Sequence, residues 1–297
     1  MSQPLFKGIF AALTTPLIGE DISLTAFRQN LNWYNKTSLD GYVVLGSTGE
    51  AILLNDRDSL QLVEEAVKVT DKGKKIIVGT ARESTRLTIE FTNQVAQFPV
   101  SAVLVRTPSY YKNLLTPTAL KEHYLRLADA ANKPIILYNI PQNTGISFDL
   151  ETLFQLAEHP NIVGIKDSSG NLNFLVKAIP HLPSDFSFLL GAGGLMYSGL
   201  TLGASGGILA LAAVAPEPCC RLFQLVQENK HTEAQRLQLQ LAPLNSYLTQ
   251  EYGIPGIKYA LDQRGLYGGP TRSPLLSVST EGQAKINQAL KELGLLD

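Results

Sequence analysis

Sulfur is scarce in this 297-residue chain, which holds 2 cysteines and 2 methionines. Cys219 and Cys220 are adjacent. Neighbours in sequence rarely meet disulfide geometry, and two thiols build no secreted disulfide framework. Their place at the start of a predicted helix reads as ordinary packing, and a cytoplasmic location fits. Met1–Lys7 carries neither the apolar core of a signal peptide nor an Arg-rich transit pattern, which gives the same expectation. No apolar stretch reaches membrane-spanning length. Charge of one sign is lacking too: 25 basic and 26 acidic residues leave a formal net charge of −1. Without a basic face or charge block, nucleic acid and membrane surfaces are not expected partners, and a small molecule is. The four histidines (His123, His159, His181 and His231) show no ligand spacing, so no metal is expected.

What the chain does have is alternation. With 44% hydrophobic and 17% charged residues, its composition is that of a soluble globular protein. Short β-type runs read Gly8–Thr14, Gly41–Gly46, Lys75–Thr80, Ala102–Arg106, Pro134–Tyr138, Ile162–Lys166, Phe186–Leu190 and Gly207–Leu211. They are near-continuous in apolar residues, as expected of parallel strands covered on their outer face. Amphipathic segments lie between them, such as the stripes Phe27, Leu31, Tyr34 and Leu60, Val63, Val67. Asn55 reads as a helix cap, and so does Thr116 with Pro117 at the first helical position. Eight strand–helix units in roughly 230 residues predict a closed (β/α)8 TIM barrel. An open doubly wound sheet is the alternative, but the first βα turn lacks the G-x-G-x-x-G fingerprint. The expected division is a catalytic barrel over 1–231 and a helical annex over 232–297. The annex helices are read near Thr232–Glu251, Gly256–Arg264 and Thr280–Leu293.

In such barrels functional side chains collect at the carboxyl ends of the strands. Three strand ends carry unusual chemistry: Leu45-Gly46-Ser47-Thr48-Gly49-Glu50, Leu137-Tyr138-Asn139-Ile140-Pro141 and Gly164-Ile165-Lys166-Asp167-Ser168. Lys166 shares strand parity with Ile162 and Gly164, so all three face the same side. An amine partly removed from water is more available as a nucleophile. A lone strand-ending lysine more commonly snorkels into solvent, and a lone tyrosine more commonly packs in a core. Tyr138 supplies a phenol able to move protons, and the Ser47–Thr48 turn offers hydroxyls and N–H groups that suit a carboxylate.

Together these three segments resemble the dihydrodipicolinate synthase and N-acetylneuraminate lyase superfamily of class I aldolases. The likeness runs from Phe6 to about Pro274. It implies that Lys166 forms a Schiff base with pyruvate or a close relative and that Tyr138 is the central proton relay. It further implies that Ser47 and Thr48 bind the pyruvate carboxylate and join the relay. Tyr110 matches the tyrosine that a neighbouring subunit inserts to extend the relay. Gly191 and Ile208 match backbone-contact positions. The resemblance implies a homotetramer and no metal or organic cofactor.

Where the synthases of this superfamily carry a substrate-binding arginine after Tyr-Asn-Val-Pro, this chain has Asn143. A neutral amide cannot reproduce a bidentate guanidinium clamp; Arg82 or Arg106 are the candidates to compensate. The runs Asn143-Thr144-Gly145, Gly253-Ile254-Pro255-Gly256-Ile257-Lys258 and Tyr267-Gly268-Gly269-Pro270 resemble 4-hydroxy-2-oxoglutarate aldolases. The first expectation is therefore cleavage of 4-hydroxy-2-oxoglutarate to pyruvate and glyoxylate. The alternatives are a 4-hydroxy-tetrahydrodipicolinate synthase, which condenses pyruvate with aspartate semialdehyde, and a 2-keto-3-deoxy sugar acid aldolase. Two readings from other classes are a barrel binding a phosphorylated ligand at Gly191–Gly194 and Gly203–Gly207, and a non-catalytic sensor. Close-packing turns account for those glycines more simply.

Overall fold

Valine, isoleucine and leucine fill the predicted runs, and their branched side chains suit a pleated surface packed on both faces. The structure is a computed structural model that describes residues 3–297, so Met1 and Ser2 of the leader expectation lie outside the described residues. The runs form β1 (Gly8–Ala12), β2 (Gly41–Val44), β3 (Lys75–Gly79), β4 (Ala102–Arg106), β5 (Ile135–Asn139), β6 (Ile162–Asp167), β7 (Ser187–Leu190) and β8 (Gly206–Leu209). They close into an eight-stranded barrel in the order β1-β8-β7-β6-β5-β4-β3-β2. Every residue of β1, β2, β5, β7 and β8 is buried, as strands covered on both faces require. β8 ends earlier than expected, because Leu211–Val214 turns into a short helix.

Helices begin where the sequence offers a side-chain acceptor. Asn55 and Thr116 take the N–H groups of Asp58 and Ala119, as expected, and Ser23, Ser84 and Asp149 cap in the same way. Each such cap is worth about 1 kcal/mol. In the annex, His231–Ser246 passes into a π-helical turn at Tyr247–Glu251, and Gly253–Gln263 and Thr280–Glu292 follow. Pro243 lies inside the first of these helices and has no N–H for the ladder. A small antiparallel hairpin, Leu17–Ile18 with Asp21–Ile22, was not expected. Among the described residues no helix is long and apolar enough to cross a membrane.

The chain gathers into two compact units. One holds the segment up to Gly8 together with Ile77–Gly207; the other holds Ile9–Ile76 and Ile208–Asp297. The expected boundary between residues 231 and 232 falls inside the second unit, at the first turn of the helix His231–Ser246.

Two glycines are demanded by close approach. A Cβ on Gly206 would lie 2.0 Å from the Gly8 carbonyl oxygen, and one on Gly41 equally close to that of Lys75. Backbone cannot step aside as a side-chain tip can. Gly206→Ala is therefore expected to cost about 1–3 kcal/mol of stability or more, read as a lowered Tm. An unchanged Tm would mean that β1 and β8 separate without cost.

Candidate active site

The first unit brings Lys166 and Tyr138 together. They are register partners on β6 and β5, which places both at strand ends facing the same way. Lys166 is 5% exposed, and its Nζ stands 4.1 Å from the centroid of the Tyr138 ring. The snorkelling alternative is thus excluded. The amine lies over an aromatic face and out of bulk water.

One residue further along both strands, a second pair holds this arrangement in place. Asn139 Nδ2 donates to Asp167 Oδ1 at 2.7 Å, and Ser169 Oγ donates to the other carboxylate oxygen at 2.9 Å. Asn139 Oδ1 in turn accepts from the N–H of Phe148. Burial raises the Asp167 carboxyl above its ordinary pKa, against the lowering effect of the Asn139 and Ser169 hydrogen bonds. The Gly191 N–H donates to the Asp167 carbonyl at 2.7 Å, and a Cβ there would meet Ser168 Oγ at 1.8 Å. Gly191 and Gly206 are therefore close-packing positions, as the simpler reading of the glycines has it.

Asn143 is exposed on the short helix Pro141–Thr144, where its N–H donates to the Ile140 carbonyl. Arg106 donates to Glu83 at 2.8 Å and to the Thr107 carbonyl. Arg82 lies over the Phe91 ring, 3.7 Å from its centroid, and donates to the Ala81 carbonyl. Both arginines are thus engaged in this structure.

Tyr110 is 77% exposed, with Tyr111 and Leu114 exposed nearby, and the two tyrosine rings meet edge to face at 5.0 Å. Glu83 holds the base of this projection, accepting from the N–H groups of Ser109 and Tyr110 and from Ser109 Oγ. Burial opposes ionisation of Glu83, but the Ser109 and Arg106 hydrogen bonds outweigh it and keep its carboxyl below the usual range. Sequence reasoning missed Glu83; its only signal was an acid at the start of a capped helix.

In the second unit, Ser47 and Thr48 sit in the turn after β2, Thr48 buried and Ser47 partly so. Two non-glycine residues in left-handed backbone bracket this turn: Leu45 at φ 59° and Glu50 at φ 57°. Such residues store of order 1–3 kcal/mol each and persist only where the surroundings over-determine them. Thr15 Oγ1 clamps the Gly49 carbonyl at 2.6 Å. Glu50 Oε1 meets Lys258 Nζ at 2.5 Å, and Glu50 Oε2 accepts the Arg272 N–H at 2.7 Å. Ile208, on β8, is also buried in this unit. The Glu50–Lys258 pair escaped the sequence reading. Both residues lie in motifs singled out there, yet nothing in a sequence pairs two charges so far apart.

The histidines are spread through the fold, and among the described residues no three His, Cys, Asp or Glu side chains converge on a metal position. His159 pairs with Asp129, and His181 packs on Phe154. His123 is buried, with Nδ1 2.9 Å from Thr85 Oγ1, and burial lowers its pKa from 6.5 to about 4. Above pH 6.5 it is neutral folded or unfolded. Below that value the unfolded chain takes up a proton that the fold refuses. Stability should therefore fall by about 3 kcal/mol as pH drops from 6.5 to about 4. Urea unfolding at a series of pH values checks this, and His123→Gln should flatten that acid limb; an unchanged limb would assign it to other groups. The cysteines are buried and unbridged, and burial pushes Cys220 up to about 12 and Cys219 well above its usual range.

Comparison with known proteins adds what geometry alone does not. Residues 5–293 match the dihydrodipicolinate synthetase family. The 4-hydroxy-tetrahydrodipicolinate synthase of Methanococcoides burtonii is 33% identical over 294 residues, covering 98% of this chain and all of that one. The solved structure of the chloride-inhibited dihydrodipicolinate synthase from Acinetobacter baumannii, complexed with pyruvate, is 30% identical. It covers 98% of this chain and 99% of that one at a TM-score of 0.93. A monomeric dihydrodipicolinate synthase variant is 27% identical, covers 98% of both chains and also has a TM-score of 0.93. The barrel and its annex helices are thus those of a known enzyme architecture. The chain is an enzyme, a class I aldolase and carbon–carbon lyase, and it belongs to the dihydrodipicolinate synthetase family.

Proposed function

We propose that Lys166 forms a Schiff base with pyruvate and that the chain uses it to make or break a carbon–carbon bond. The observation that carries this is the buried amine over the Tyr138 ring. The Lys166 amine attacks the ketone carbon to give a carbinolamine, and Tyr138 protonates the departing hydroxyl as water leaves. The resulting protonated imine is an electron sink. Loss of a methyl proton gives an enamine whose carbon attacks an aldehyde; run backwards, cleavage releases the aldehyde and leaves the enamine. Ser47 and Thr48 take the pyruvate carboxylate, and Gly191 and Ile208 supply backbone contacts. Catalysis belongs to the barrel of residues 1–231, with 232–297 as its annex.

The relatives' names support condensation of pyruvate with aspartate semialdehyde, the alternative weighed from the sequence, over the 4-hydroxy-2-oxoglutarate reading set first there. One observation favours cleavage of 4-hydroxy-2-oxoglutarate: Asn143 stands where a synthase carries arginine, and Arg106 is already committed to Glu83. Both reactions share the pyruvate imine, so one comparison separates them. Borohydride reduction with pyruvate should attach a covalent adduct to the peptide containing Lys166. Condensation faster than release of pyruvate from hydroxyoxoglutarate establishes the synthase; the reverse ranking establishes the aldolase. Absence of any adduct sinks both. Assembly as a homotetramer is part of this proposal, supported by the exposed Tyr110 projection; a monomer in solution would remove Tyr110 from the relay. Cytoplasmic residence is the further expectation, consistent with the two free thiols.

A further inference from the structure

We propose that the annex sets the geometry of the carboxylate-binding turn, with Lys258 and Glu50 as positioning residues for pyruvate. This rests on the reading that Ser47 and Thr48 take the pyruvate carboxylate. Glu50 ends the hydroxyl-bearing turn and is 1% exposed, as is Lys258 on the annex helix Gly253–Gln263. A charge so buried is costly unless its partner is fixed. Lys258 is fixed: its Nζ also donates to the Pro270 carbonyl at 2.6 Å, and its own carbonyl is pressed against Gly268, where a Cβ would come within 1.8 Å. Burial lowers the Lys258 pKa, and the Glu50 carboxylate opposes that shift.

Arg272 completes the clamp from the next annex segment. Its N–H reaches Glu50 Oε2, its Nη1 donates to the Leu53 carbonyl at 2.9 Å, and its Nη2 donates to the Glu20 carbonyl. Two annex groups thus hold the Glu50 carboxylate that ends the turn, the Lys258 ammonium and the Arg272 N–H, while the Arg272 guanidinium holds the Leu53 carbonyl just beyond it. Hydrogen bonds inside the turn run from Gly49 N–H to the Gly46 carbonyl and from Glu50 N–H to the Ser47 carbonyl, both at 3.1 Å. A longer bond from Ala51 N–H to the Gly46 carbonyl at 3.4 Å closes a Schellman-type turn around the left-handed Glu50, and the buried carboxylate anchors that non-glycine residue where glycine is the usual occupant. Because φ at Glu50 decides the direction of the chain entering it, the carboxylate's anchorage decides where the preceding Thr48 and Gly49 present their polar groups. A role in folding alone would make the pair a matter of stability; a positioning role makes it a matter of pyruvate affinity.

The test compares Glu50→Gln, Lys258→Met and the double variant with the wild type. Removing both charges of a buried pair commonly leaves stability near its starting value, so the double variant carries the test even if Lys258→Met fails to fold. The pyruvate concentration giving half-maximal borohydride trapping should rise about tenfold in the double variant, while the trapped yield at saturation stays that of the wild type. Amide hydrogen exchange across residues 46–51 should accelerate by about tenfold. A double variant whose half-saturating pyruvate and turn exchange both match the wild type overturns the proposal, whatever its Tm. A wild type that traps no pyruvate sinks the functional reading instead, and exchange in the turn then decides the positioning claim alone.

Discussion

Lys166→Ala is expected to yield no borohydride-trapped adduct and to lower turnover by about 10⁴-fold or more, the scale on which enzymes lose activity with their covalent nucleophile. The size follows from the role proposed for the residue. A carbonyl–amine condensation needs a free amine within bonding reach of the ketone, and neither water nor a hydroxyl can turn the substrate into a cationic electron sink. Lys166 is buried and fixed on a strand whose register is shared with β5 and β7, so a mobile surface lysine is a poor substitute. Truncation also removes a buried aliphatic stem, and some stability goes with it. Lys166→Met keeps that stem and removes only the amine. Equal loss of activity in both variants, with the methionine protein melting near the wild type, would assign the loss to the nitrogen. A pyruvate adduct persisting in Lys166→Ala, mapped to another lysine, would move the catalytic amine elsewhere.

The barrel was readable because its strands are short, apolar and separated by helices with caps of their own. Phe27, Leu31 and Tyr34 are buried as the helical stripe requires, and Asn55 and Thr116 cap as expected. Strand ends were less certain. A closed parallel barrel buries the first residues past the ladder as thoroughly as the ladder itself, so Leu211 looks apolar whether it extends β8 or begins a turn of helix. Lys166 and Tyr138 were legible through the neighbouring motifs; strand parity held for Gly164 but not for Ile162, which a register shift between Ile135 and Ile136 puts out of step with Lys166. The supports of the pair were not legible. Asn139 and Asp167 stood in plain view within the quoted motifs, but only the register of β5 against β6 shows them paired. Glu50 and Lys258 meet across most of the second unit's sequence, and buried opposite charges leave no periodicity to follow. Substrate choice is the least legible feature, because packing does not dictate exposed residues such as Asn143.

Tyr138→Phe should separate the proton relay from the fold. It removes one oxygen and leaves the ring, so the aromatic face beside the Lys166 Nζ, now 4.1 Å from the ring centroid, survives. The strand is buried on both sides of the barrel wall, and loss of one hydroxyl should change stability by about 1 kcal/mol. Turnover should nevertheless fall by about 10²–10⁴-fold, the contribution typical of a positioned general acid or base. Dehydration of the carbinolamine must protonate its hydroxyl, and hydrolysis of the final imine must reverse that transfer, so the same phenol is needed twice in each cycle. Time-resolved trapping therefore shows the defect directly: adduct accumulates slowly in Tyr138→Phe yet reaches the wild-type amount at long times. Tyr138→Leu, which also removes the ring, should in addition disturb the placement of Lys166 and lower that final amount. If Tyr138→Phe instead loses stability and turnover in equal measure, or traps pyruvate at the wild-type rate, the phenol is a packing residue and the proton must travel by another path.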